Sequence, residues 1–193
     1  MSNREKIIEC AIDLFFRKGY ESVGVQEICD VAGVTKPTLY HYFKSKYGLL
    51  RAILEEKYAE FGYKLEAAAS ANDDIKHILH QVAKIYMEYS SANMKFNQFF
   101  MALQHGGKES EGYRAVRPYM NRMFSSIEGI FNRASYELGN MYGRQYLFAT
   151  SFLGAMTTYL LMRYSTTDNE DSFFVSQDEI YNVLNQFLHG IYS

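Results

Sequence analysis

Near its start the chain sets a turn and a fresh helix start side by side, in the run Gly33-Val34-Thr35-Lys36-Pro37-Thr38. Gly33 can take the positive φ of a tight turn because it has no Cβ. Thr35 can N-cap a new helix, whose first turn tolerates Pro37 because the early N–H groups have no partner there. Upstream, Val25 to Ala32 reads as a short helix with Ile28, Val31 and Ala32 turned inward. The unit is therefore helix, glycine turn, helix, a layout in which the second helix enters a DNA major groove and the first crosses the backbone.

The charge pattern fits that geometry. No acidic residue occurs between Asp30 and Glu55, while Lys36, His41, Lys44, Lys46 and Arg51 all do. The net charge is −2, with eight Lys/Arg against six Asp/Glu through Arg51 and twelve against sixteen beyond it. The basic surplus sits with the helix-turn-helix but is small, so affinity must rest on placed contacts rather than on a polycationic field.

A first helix is legible on its own terms. Ser2 and Glu5 form a capping box, Ile7, Ile8, Ala11, Leu14 and Phe15 recur at helical spacing, and Gly19 stops the run. Leu14, Phe15, Ile28, Val31, Leu39 and Phe43 can then form a small core that fixes the angle between the two following helices.

Two segments carry a family resemblance: Ile7-Ile-Glu-Cys-Ala-Ile-Asp-Leu-Phe-Phe-Arg-Lys-Gly-Tyr20 and Val31-Ala-Gly-Val-Thr-Lys-Pro-Thr-Leu-Tyr-His-Tyr-Phe-Lys-Ser-Lys46. They resemble the DNA-binding domain of the TetR family of transcriptional regulators, over roughly the N-terminal quarter of the chain. By that resemblance Thr35 and Lys36 open the reading helix, Pro37 meets a thymine methyl and Thr38 meets base or phosphate. Tyr40, His41, Tyr42 and Lys46 would contact phosphates, and Gln26 on the preceding helix would add a base or backbone contact. The chain departs from the family at Val23-Gly24-Val25, where a Thr is common, so Gly24 is left as a poorer cap and the role of Gln26 weakens.

The remainder reads as helices throughout. Ser45 is a candidate N-cap for a long helix carrying Leu49, Leu50, Ile53, Leu54, Tyr58, Phe61 and Leu65, a mechanical link from the basic segment into the rest of the chain. Asp73 or Asp74 can cap a helix from Ile75 to Tyr89, broken at Ser90 to Asn93. Further helices follow through Phe96 to Leu103 and from about Tyr113 to Leu138. The expected fold is all-α: residues 1–48 form a three-helix DNA-binding domain, and residues 49–193 a larger helical ligand-binding and dimerisation domain.

Seventeen consecutive residues, Tyr146 to Met162, carry no charge. The run is short for a bilayer, holds four Ser/Thr and is bracketed by Arg144 and Arg163, so a buried helix fits better than a membrane span. The last helix starts at a second capping box, Ser176 and Glu179, and shows an apolar stripe of Ile180, Val183, Leu184, Phe187, Leu188 and Ile191. Two such helices per subunit can pair into an intermolecular four-helix bundle, with Ala149, Gly154 and Ala155 permitting close approach. The alternative is that both pack within one subunit. The resemblance likewise implies a homodimer on a pseudo-palindromic double-stranded operator.

Aromatic residues make up 16% of the chain, and Met contributes nine more adaptable side chains. Tyr86, Tyr89 or Tyr159 can orient a small effector, with Phe61, Leu65, Phe99, Phe100, Met120, Met123, Phe124 and Met156 as apolar walls. The competing reading of each of these residues is plain core.

Other chemistries find little support. His77 and His80 share a helix face, but no Cys or patterned carboxylate completes a metal set. There is no nucleophile elbow, P-loop or dinucleotide fingerprint, so neither an enzyme nor a cofactor is expected. Cys10 and Cys29 read as buried packing residues or as a thiol switch, and the absence of a signal peptide suggests a cytoplasmic protein. The sequence thus points to a ligand-responsive regulator, usually a repressor in the resembling family. A sequence-tolerant structural DNA binder and a small helical enzyme are the rival classes.

Overall fold

The computed structural model describes residues 1–136, 141, 143–167 and 173–190, apart from the side chains of Glu60 and Tyr136. Among them there is no strand. The elements are α1 (Asn3–Lys18), α2 (Val25–Ala32), α3 (Lys36–Phe43), α4 (Lys46–Ala69), α5 (Ile75–Ala92), α6 (Met94–Gln104), α7 (Glu111–Arg133), a 3-10 turn (Ala134–Tyr136), α8 (Gln145–Ser165) and α9 (Gln177–His189). None of these helices is long and apolar enough to cross a membrane. Ile191 and Leu138 lie outside the described residues.

Two compact units divide the chain. Unit 1 comprises Met1–Ala59 and Asn93–Tyr119, and unit 2 comprises Glu60–Ala92 and Met120–Ser193.

In unit 1, α1 is held at both ends by its own sequence. The Ser2 and Glu5 capping box is formed in full, and Gly19 (φ 79°) ends the helix with its N–H on the Phe15 carbonyl. α1 packs against α2, α3 and α6. Ile7, Ala11, Phe15, Ile28, Leu39, Leu49, Leu50, Ile53, Leu54 and Phe99 are all enclosed in the resulting core. The contribution of α6, and of Phe99 in particular, was not anticipated from its position in the sequence.

One inward assignment needs correcting. Val31 is 57% exposed, while Cys29 is buried in its place. Residues 28, 29 and 32 span an arc of about 100° of helix surface, and position 31 falls about 60° outside it, so Val31 faces solvent.

Unit 2 is built on contacts among α5, α8 and α9. Phe131, Phe152 and the half-buried Phe187 meet edge to face there, with Phe152 and Phe187 5.2 Å apart. α8 has two faces. Ala149, Phe152, Met156, Leu160 and Tyr164 are buried, whereas Leu147, Ser151, Gly154, Thr158 and Met162 form one exposed stripe. Ala149 was expected on the exposed, pairing side; at 200° from position 147 it belongs to the subunit core instead.

α9 is fastened to α8 through a single carboxylate. Glu179 Oε1 accepts from the Tyr159 hydroxyl and from Arg163 Nε, each at 2.7 Å, while Oε2 accepts from the N–H and hydroxyl of Ser176, each at 2.9 Å. Burial alone would raise the Glu179 pKa, but these four donors outweigh it and hold it at about 2.

Candidate nucleic-acid interface

The turn between α2 and α3 follows from Gly33. Its backbone is left-handed (φ 65°, ψ 37°), with its own N–H on the Asp30 carbonyl and the Val34 N–H on the Cys29 carbonyl, which closes α2 in a Schellman pattern. Thr35, itself extended, then caps α3. Its Oγ1 accepts from the Thr38 N–H at 3.4 Å and lies 2.9 Å from the Thr38 hydroxyl. Pro37 sits in the first turn, where a missing N–H leaves no carbonyl unpaired. At the other end Lys44 adopts φ 65°, and the Ser45 N–H donates to the Phe43 carbonyl at 2.8 Å, a γ-turn that separates α3 from α4. Ser45 then caps α4 through the Gly48 N–H at 2.9 Å.

Only two side chains, Leu39 and Phe43, tie α3 inward. Lys36, Pro37, Tyr40, His41 and Tyr42 are exposed, as is Thr35, and Thr38 is half-buried. His41 and Tyr42 lie edge to face with centroids 5.3 Å apart. This exposed surface carries polar, aromatic and cationic groups together, a mixture that can donate to phosphates and base edges and contact a thymine methyl.

Two of the sequence-based contacts look different in place. Gln26 is exposed, but its amide donates to Asp30 at 2.6 Å, and α2 starts at Gly24 with no side-chain cap, the weakness anticipated from the missing hydroxyl. Lys46 turns inward. Its ammonium donates to the carbonyls of Tyr20 (3.0 Å) and Val23 (3.2 Å), reaches that of Glu21 at 3.5 Å, and stands 4.3 Å over the Tyr20 ring. In this conformation it clamps the corner between α1 and α2 instead of standing free for a phosphate.

The eleven residues expected as effector contacts fall in both units. Phe99 and Phe100 belong to unit 1, and Phe99 packs on Phe15. Phe61, Leu65, Tyr86, Tyr89, Met120, Met123, Phe124, Met156 and Tyr159 belong to unit 2. Within it Phe61 stacks on Tyr89 at 4.7 Å, and the buried Tyr86 hydroxyl lies 2.7 Å from that of Thr157. Burial raises the Tyr86 pKa, so it remains a neutral phenol. Phe124 meets Tyr146 at 4.9 Å, and the Tyr159 hydroxyl is engaged by Glu179. His77 pairs with Asp73 at 2.8 Å, and no group of three potential ligands capable of holding a metal occurs among the described residues.

Sequence reasoning missed Glu111, which accepts the Tyr20 hydroxyl at 2.9 Å from 91 residues away. No local pattern announces a bond of that span.

Residues 7–53, the stretch that builds α1, α2, α3 and the start of α4, match the family described as bacterial regulatory proteins, tetR family. A Bacillus subtilis protein described as the probable HTH-type transcriptional regulator YttP is 40% identical over 70 residues, which are 36% of this chain and 34% of that protein. The chain thus spans about a third of that curated relative's length. Solved structures match over nearly the full length. A candidate fatty acid metabolism regulator from Clostridium perfringens is 25% identical, with 97% of this chain and 99% of that one covered and a TM-score of 0.81. FadR from Bacillus subtilis, solved in complex with stearoyl-CoA, shares the fold at 18% identity and a TM-score of 0.70, over 97% and 99% of the two chains. The left-handed Gly33 turn and the Thr35-capped α3 both lie within residues 7–53, the quarter of the chain that matches the tetR family of bacterial regulatory proteins.

Proposed function

We propose that the chain acts in the cytoplasm as a homodimeric repressor that leaves a palindromic operator when a small apolar or aromatic effector binds. The observation that carries this reading is α3, fixed inward by Leu39 and Phe43 and capped by Thr35, with Lys36, Pro37, Tyr40, His41 and Tyr42 left facing outward. Lys36, Thr38 and Tyr40 enter the major groove, His41 and Tyr42 meet phosphates, Gln26 joins them on release from Asp30, and Lys46 stays on the α1–α2 corner and supports the pose. Residues 1–48 supply the DNA contacts, and residues 49–193 the effector site and the pairing of α8 and α9.

Two reading helices of a dimer must stand roughly 34 Å apart, so a small change of spacing releases both half-sites together. The effector site is built from Phe61, Leu65, Tyr86, Tyr89, Met120, Met123, Phe124, Met156 and Tyr159, and it acts through α4, which begins at Lys46. Decisive switching requires the effector to favour the DNA-incompetent state by on the order of 5 kcal/mol. The similarity to a candidate fatty acid metabolism regulator supports an acyl chain as the apolar group. No catalytic role is assigned.

Selection of duplexes from random DNA by the full chain tests this reading. Competition of the selected duplex against random duplex at fixed salt should give at least about a thousandfold preference, and long-chain acyl-CoA should weaken the specific complex. Equal affinity for both duplexes would establish a sequence-tolerant DNA binder. Specific binding that no acyl or aromatic compound alters would remove the effector.

A further inference from the structure

Tyr20 follows the Gly19 cap of α1 and is buried, at 3% exposure. Three elements converge on it. Its ring meets Phe15 of α1 edge to face at 5.2 Å. Lys46, the first residue of α4, places its ammonium over that ring and on the carbonyls of Tyr20 and Val23. The phenol itself donates to Glu111 Oε2, in the first turn of α7.

That turn is shaped to fit. Ser110 caps it through the Tyr113 N–H at 3.1 Å. Gly112 is buried beside it, and a Cβ there would come within 2.7 Å of Leu103 Cδ2 and 3.9 Å of Tyr20 Cδ1. The bare glycine therefore lets α7 settle on both α6 and Tyr20.

The link bears on α2 and α3. α2 begins at Gly24 without a side-chain cap, so its start is fixed by neighbours, and Val23 is held by the same Lys46 that rides on Tyr20. α3 runs into α4 through Lys44 and Ser45 alone. Tyr20 and Lys46 therefore meet where α2 begins and where α3 passes into α4.

We propose that the Tyr20–Glu111 hydrogen bond is a positioning latch, which anchors the α1–α2 corner to the first turn of α7 and so holds α2 and α3 in the pose that reads an operator. Tyr20 and Glu111 touch no DNA; they act through Lys46 and the Val23 carbonyl. A carboxylate bond to a partly buried phenol is charge-assisted and directional, and burial together with Glu111 raises the Tyr20 pKa, which keeps the donor protonated. The latch rests on the operator-binding reading above.

The test uses the full chain with a duplex selected by the wild type and a random duplex of equal length, at a temperature where circular dichroism shows every variant folded. Tyr20→Phe and Glu111→Ala should each weaken the selected complex about fivefold to tenfold, the scale of one hydrogen bond. Random-duplex binding at low salt should be unchanged. Glu111→Gln, whose amide oxygen still accepts from the phenol, should recover most of the loss, and the double variant Tyr20→Phe/Glu111→Ala should lose no more than either single one. Wild-type affinity in both single variants, losses that multiply, or equal weakening on random duplex would overturn the latch. A wild type that enriches no duplex would overturn the operator reading itself, and the latch with it.

Discussion

Phe99 of α6 lies 5.3 Å from Phe15 of α1, ring centre to ring centre and tilted by 31°, with both side chains enclosed. A helix that begins at residue 94 thus completes the core of unit 1 against α1. Phe99→Ala should cost about 3–5 kcal/mol, and Phe99→Leu less than about 1.5 kcal/mol. Urea denaturation of the full chain measures both; a loss below about 1 kcal/mol for the alanine variant would place Phe99 outside that core.

Lys36 and Lys46 should part company on mutation. Lys36 is exposed at the start of α3, so Lys36→Ala should relax the preference at one base position by about 1–3 kcal/mol and leave the fold intact. Lys46→Ala removes donors from the Tyr20 and Val23 carbonyls and should lower stability by about 1–3 kcal/mol. Comparison of denaturation midpoints with duplex selectivity separates the two. Full stability in Lys46→Ala, with a salt slope reduced by about one, would show a phosphate contact instead.

Glu179 gives unit 2 an acid limit. Its folded pKa of about 2 lies below the ordinary carboxylate value of 4.5, so its contribution is complete above pH 4.5 and is lost as pH falls from there towards 2. Glu179→Gln should flatten that part of the stability curve and cost on the order of 1–2 kcal/mol at pH 7, a value reduced for the partly exposed Arg163 partner. Denaturation at a series of pH values checks the sign; an unchanged acid limb in the variant would assign it to other carboxylates.

The exposed stripe of α8 can be tested by charge. Leu147, Ser151, Gly154, Thr158 and Met162 lie along one side, with Leu147 and Met162 each more than half exposed. A Cβ at Gly154 would meet nothing within 4 Å in the subunit, so Gly154→Glu should fold normally. It should nevertheless convert a dimer to a monomer in sedimentation and abolish tight binding to a two-half-site duplex, because paired reading needs both subunits. A variant that remains dimeric would move the pairing surface elsewhere.

Local chemistry was legible in the sequence, and long-range packing was not. Ser2 with Glu5, Gly19, Gly33, Thr35, Ser45, Asp74 and Ser176 with Glu179 all sit where capping rules place them, because each bond spans only a few residues. Helical period identified the buried faces of α1 and α9 but misjudged Val31, which flanks the apolar arc of α2, and Ala149, which lies in a run where apolar residues occur all round and periodicity cannot choose a side. Phe99 shows the same limit on a larger scale. An aromatic at helical spacing announces burial without naming its partner, and the partner lay in α1. Lys46 was read from its charge and from the family resemblance, whereas three carbonyls converging on its ammonium are a property of the folded corner.

Because unit 1 is assembled from residues 1–59 together with 93–119, it cannot be inherited as a simple N-terminal cassette. A recombination event that replaced only the first segment would give the new α1 a foreign Phe99 and a foreign Glu111, and would succeed only where those two positions already suited it. Exchange of operator preference between such chains is therefore easier by substitution along the outer face of α3, which makes few demands on the interior, than by swapping whole domains.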